Sequence, residues 1–168
     1  MPPARPRVYL FNMKTMQQWL DEYGASHRNP TNKTIHWICV PSILFTVLGL
    51  IWLIPVPTFF AEVSPFLNWS TLAMTAAFVY YLLLSPRLAI GMAVIAAVLF
   101  ALVYWVVTRS PVAPWIVFVT VFVAAWIGQF IGHEIEGKKP SFFKDVQFLL
   151  IGPAWLLAHL YGRIGIRI

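Results

Sequence analysis

Between Glu62 and Glu134 the chain has no acidic residue, and its only basic residues there are Arg87 and Arg109. A bilayer core about 30 Å thick is crossed by roughly 20 apolar residues in a helix. Inside lipid every backbone amide must be satisfied within the crossing segment, so uncharged runs of this length are expected as helices. Charged residues make up 11% of the chain, against about a quarter in soluble domains. The fold class expected is therefore all-α, a multi-span transmembrane bundle.

Four spans are expected, at about 35–54, 69–84, 88–108 and 115–132. Ser85-Pro86-Arg87 leaves no room for a loop, so the second and third spans form a tight hairpin. Residues 55–67 form the loop between the first two. Phe11, Met13, Met16, Trp19, Leu20 and Tyr23 recur at helical spacing among polar residues, and Gly24 follows as a C-cap. This is the pattern of an amphipathic helix on the membrane surface or across the mouth of the bundle. The tail at 142–161 is apolar enough for a fifth span, but Gly152-Pro153 interrupts it. The expectation is four spans plus a Gly-Pro-broken C-terminal helix, with five spans as the alternative. Nothing divides residues 1–168 into more than one domain, and no apolar run follows Met1–Arg7 that would make a cleaved signal peptide.

The net charge of +6 does not point to nucleic acid, because the basic residues flank apolar runs. Arg5, Arg7, Lys14, Arg28 and Lys33 precede the first span, Lys138, Lys139 and Lys144 follow the fourth, and the 55–67 loop has none. By the positive-inside rule both basic ends face the cytoplasm. A bacterial inner membrane is the expected location.

Two of the four histidines bracket the stretch His27-Arg28-Asn29-Pro30-Thr31-Asn32-Lys33-Thr34-Ile35-His36. Two Asn and a Pro are expected to make its middle a turn, able to bring His27 and His36 to one point. His133, at the end of the fourth span, falls on the same side of the membrane. Gln129 and Glu136 share its helix face if that helix continues. Ionisable groups at such depth are costly and mark function. Cys39 is the lone cysteine, which excludes an internal disulfide and a Cys-based zinc cluster. Several imidazoles with a carboxylate suit iron, manganese or catalytic zinc. The candidate carboxylates are Glu136, then Glu134, then Asp21 or Glu22. Phosphate-binding glycine loops and nucleophile elbows are missing.

His27-x-Asn29-Pro30-x-Asn32-x-x-x-His36, Pro41, Trp126-x-x-Gln129-Phe130-x-Gly132-His133, Glu136, Pro140 and Gly152-Pro153 together resemble the family of the fungal endoplasmic-reticulum 2-hydroxy fatty acid dioxygenase. The resemblance implies an iron(II)-dependent oxidoreductase that takes a 2-hydroxy fatty acid and O2 and shortens the chain by one carbon. It implies His27, His36 and His133 as catalytic iron ligands. His159 stands where the fungal form leads one to expect an acidic residue, and is a further candidate ligand. Glu136 is the alternative, one residue closer to His133 than in the fungal form. Asn29, Asn32, Lys33 and Gln129 would serve the ligands or the substrate, with Lys33 or Arg28 pairing its carboxylate. Two other readings stay open: another metal-dependent membrane lipid enzyme, and a small transporter or scaffold without enzymatic activity. Ionisable groups at one membrane face rather than at mid-span favour an enzyme.

Overall fold

The computed structural model describes residues 14–137 and 142–166, and for 142–147 the backbone alone. Phe11 and Met13 of the expected amphipathic helix, and Lys138, Lys139 and Pro140, lie outside the described residues. The described elements are seven helices: α1 Met16–Gly24, α2 Pro30–Trp52, α3 Thr58–Val63, α4 Trp69–Leu84, α5 Pro86–Arg109, α6 Pro114–Glu136 and α7 Phe142–Arg163. No strand occurs among them. Three helices, α2, α5 and α6, are long and apolar enough to cross a membrane. The 16 residues of α4 form a shorter apolar helix.

The segment expected as a turn between Asn29 and His36 is helical instead. Asn29 is the N-cap of α2, its Oδ1 accepting from Thr31 N at 2.8 Å and Asn32 N at 3.4 Å, and Pro30 occupies the first helical position. There Pro has no amide to lose and its φ is already helical, so this Asn-Pro pair starts the helix. The reversal of direction is confined to residues 25–29. At its other end α6 runs a turn further than expected, to Glu136, and closes on Gly137 in the left-handed conformation (φ 69°).

The tail also differs from the broken helix expected. It is one helix through Gly152-Pro153. Pro153 removes the bond to Leu149 O, but the turn is buried and held from outside. Leu150 O accepts the Tyr81 hydroxyl at 2.6 Å. Gly152 is needed for closeness: a Cβ there would stand 3.1 Å from the Tyr23 hydroxyl and 3.3 Å from Val40 Cγ1.

The pairing of α2 with α6 is the most extensive in the molecule. Gly128 and Gly132, one turn apart, form a small-xxx-small face on α6. Cys39 Sγ and Asn32 Oδ1 sit where their Cβ atoms would be, at 2.6 and 2.4 Å. Helix α1 lies against α7 through buried Met16, Leu20 and Tyr23, in a core shared with Leu88, Met92, Ala154 and Leu157.

Candidate metal centre

Each of the three histidines comes from a different local context. His27 follows α1 in the reversal, His36 is in the second turn of α2, and His133 is in the last turn of α6. Their ring centroids are 4.2 Å (27–36), 5.5 Å (27–133) and 5.2 Å (36–133) apart. One nitrogen from each lies within 4.8 Å of the others. His27 and His36 are 4% and 1% exposed, which places this meeting point inside the protein.

Backbone carbonyls orient two of the rings. His27 Nδ1 donates to Tyr23 O at 2.6 Å, and His36 Nδ1 donates to Asn32 O at 3.0 Å. A proton fixed on Nδ1 puts the lone pair on Nε2, the arrangement that metal-binding imidazoles use. His133 Nδ1 is buried and has no hydrogen-bond partner. Burying an imidazole nitrogen without a partner is costly, and a metal ion would satisfy it. Three convergent imidazoles and a buried orphan nitrogen fit a bound divalent metal.

Glu136 is placed beside the histidines and used otherwise. Its Oε1 accepts Arg28 N at 2.8 Å, and Oε2 accepts Asn29 N at 2.9 Å and Asn32 Nδ2 at 3.0 Å. The carboxylate thus ties the His27 reversal to the end of α6, and no carboxylate belongs to the histidine group among the described residues. Asn32 is fully buried, and its Nδ2 also reaches Ser26 O at 3.4 Å. Gln129 is buried next to the His36 ring. Lys33 is half-buried one turn before His36, and Arg28 and Glu134 are exposed. Asp21 lines an open cleft of about 720 Å³ between α1 and α7, together with Arg28 and His159. His159 is exposed; its ring stacks on Trp155 at 6.1 Å and meets Trp37 edge-on at 6.1 Å, apart from the three-histidine group.

Two supporting residues carry no motif of their own. Tyr23 gives its carbonyl to His27 and stacks on the same ring at 4.1 Å with 7° between planes. Trp155 meets both Tyr23 and His27, at 5.5 and 5.7 Å. The spacing of Gly128 and Gly132 was a readable signal for the closeness of α2 and α6; that of Tyr23 and Trp155 was not, since aromatics at helical spacing are ordinary core.

Comparison with curated proteins and with solved structures finds no match. A family model does match, over residues 13–164, and it spans all three histidines, Asn29, Glu136 and α7. The chain belongs to the Mpo1-like family, described as 2-hydroxy-palmitic acid dioxygenase Mpo1-like.

Proposed function

We propose that the protein is an iron(II)-dependent dioxygenase that shortens 2-hydroxy fatty acids by one carbon. The observation that carries this reading is the buried meeting of His27, His36 and His133 in a chain of this family. Three protein donors leave positions open for substrate and oxidant, as catalytic sites require. Bound there, iron(II) would supply a Lewis acid for the 2-hydroxy carboxylate and a relay for its electrons to O2.

The protein's own groups do the rest. Tyr23 O and Asn32 O hold two imidazoles in the ligating tautomer. Glu136 fixes the reversal that carries His27, and the cap at Asn29 fixes the start of α2. Arg28, exposed in the cleft beside α7, is placed to draw in an anionic headgroup. The conversion balances with O2 as sole oxidant: RCH(OH)COOH and O2 give RCOOH, CO2 and water. The bond between C1 and C2 breaks, the substrate supplies all the electrons, and no reductant is needed.

Anaerobically purified, iron-loaded protein should consume O2 when given 2-hydroxypalmitate and release the acid one carbon shorter. Palmitate, lacking the hydroxyl that completes the chelate, should be inert, and an iron chelator should stop the reaction. A folded, iron-loaded sample that takes up no O2 with any 2-hydroxy acid would end this reading. A hydrolase or transporter predicts that outcome.

We place the site at the cytoplasmic face of a bacterial inner membrane. Arg28, Lys33 and Arg87 belong to the histidine end of the bundle, and the Tyr161 hydroxyl donates to Arg87 O at 3.2 Å, bringing the Arg163 end of α7 there too. Arg109 closes α5 at the opposite end. With Cys39→Ala as background, a cysteine at Arg163 should be labelled from the cytoplasmic side; labelling from the other side would reverse the orientation.

A further inference from the structure

A second space, of opposite character, lies deeper along α2. A cavity of about 170 Å³ lies among α2, α4, α5 and α7, walled in part by Leu44, Ile51, Ala73, Ala77, Met92 and Leu149. Tyr81 is the one side chain in its lining with a polar group, and its hydroxyl is engaged by Leu150 O. Water entering such a space would find no partners. Apolar cavities of about 150 Å³ stay dry and accept hydrocarbon guests of benzene size.

The cavity is aligned with the histidines. His36, Val40, Leu44, Val47 and Ile51 step along α2 by three or four residues and so share one face. At ~1.5 Å per residue, Leu44 is about 12 Å and Ile51 about 22 Å beyond His36. The residues between are apolar: Cys39, Val40 and Ile43 are buried, and Leu149 packs with this group. Helix α4 runs antiparallel to α2. It starts near the far end of α2, where Trp69 Nε1 donates to Pro55 O at 3.1 Å, and Tyr81 near its other end meets α7. Ala77 is therefore one turn nearer the histidines than Ala73.

We infer that this cavity holds the distal part of a single unbranched alkyl chain whose 2-hydroxy carboxylate is held at the histidines, and that Ala77 and Ala73 set the chain length accepted. The inference rests on the proposed function for the headgroup. Carbon–carbon bonds of ~1.5 Å advance a zigzag chain by roughly 1.3 Å per carbon. The cavity then receives roughly carbons ten to seventeen, the stretch in which a palmitoyl-length chain ends. Each methylene buried there strengthens binding about four-fold, so chains that stop short of the cavity bind weakly. Chains carrying a polar group at that depth are rejected.

The test compares wild type, Ala77→Phe and Ala73→Phe, in lipid nanodiscs, with saturated 2-hydroxy acids from medium to very long chain. Binding to iron-loaded protein is counted under nitrogen by native mass spectrometry, and chain-length profiles of turnover are recorded in air. Both variants should keep their iron. Ala77→Phe should shift the preferred acid shorter by roughly four carbons and weaken binding of 2-hydroxypalmitate at least ~10-fold. Ala73→Phe should weaken only the longest acids. If Ala77→Phe does not fold, Ala77→Leu should give a smaller shift in the same direction. Unchanged length profiles in folded variants would overturn the inference. So would an equal loss at every length, which would assign the cavity to a bilayer lipid tail. Because the nitrogen arm needs no turnover, failure of O2 uptake alone sinks the dioxygenase reading, whereas a flat binding profile sinks the cavity assignment.

Discussion

The α2–α6 pair and the α4–α5 hairpin are both long antiparallel contacts, yet they are built on different physics. Between α4 and α5 the turn at Ser85-Pro86 leaves the two helices no choice of partner, and Tyr81 of α4 shares a buried core with Leu88 and Met92 of α5. Between α2 and α6 no short turn dictates the pairing. There Gly128 and Gly132 admit Cys39 and Asn32, while Gln129, Asn32 and His36 are buried and polar. In lipid, apolar bulk gives little preference for one neighbour over another, because the tails are as apolar as leucine. Close backbone approach and polar groups that need one another are what choose a partner. The hairpin is specified by connectivity, and the α2–α6 pair by fit. Substitutions should therefore separate them.

The largest separation is expected at the three histidines. His27→Ala, His36→Ala or His133→Ala should each lower iron affinity by more than about 100-fold, beyond the 10–100-fold typical of supporting residues. Iron per folded chain, by elemental analysis after anaerobic purification, measures it. Retention of iron in all three variants would remove the metal from the account.

Gly132→Leu comes next. Its Cβ would fall 2.4 Å from an Asn32 oxygen whose residue is fully buried and tied through Nδ2 to Glu136 and Ser26. Overpacking of this kind costs about 1–3 kcal/mol, and because it parts α2 from α6, iron affinity should fall with stability. Gly91→Leu on α5 is the control. It meets the Tyr161 hydroxyl and Leu157, both side-chain ends on α7, and should lower stability with little effect on iron affinity. Equal effects on iron would mean that the two regions are not distinct in the way described.

Glu136→Ala should weaken iron by about 10-fold in a chain that still folds, because the reversal carrying His27 loses two hydrogen bonds to this carboxylate and Asn32 of α2 loses a third. Glu136→Gln keeps an acceptor oxygen and should recover part of the loss. An effect as large as that of the histidines would argue for direct ligation.

The smallest effect is expected from His159→Ala. Iron content should stay at the wild-type level, since this ring packs on Trp155 and Trp37 at the surface. Loss of iron here would bring α7 into the ligand set.

Much of this architecture is written plainly in the chain. The uncharged runs mark α2, α5 and α6, and the 69–84 run matches the bounds of α4, which at 16 residues is a shorter apolar helix than the span expected there. The Asn29-Pro30 pair is legible too, but as a cap followed by a helix rather than as a turn. Gly152-Pro153 misleads for a tertiary reason: Tyr23 and Val40 press on the glycine, and Tyr81 bonds the neighbouring carbonyl, so a local breaker is held inside one helix. Glu136 stands close to the histidines as its spacing from His133 suggested. What spacing could not convey is that amides of a segment more than a hundred residues earlier would claim both its oxygens.

The support of His27 has a consequence for the order of events during synthesis. His27 is made more than a hundred residues before the wall behind it, Phe148, Gly152 and Trp155 around Tyr23. A chain emerging from the ribosome owns all three histidines once α6 is complete, but holds His27 in place only after α7 docks. On the proposed function, iron capture follows the docking of α7, and chains stalled before Phe148 should bind iron poorly although all three histidines are present. Iron occupancy would then report that α7 has docked.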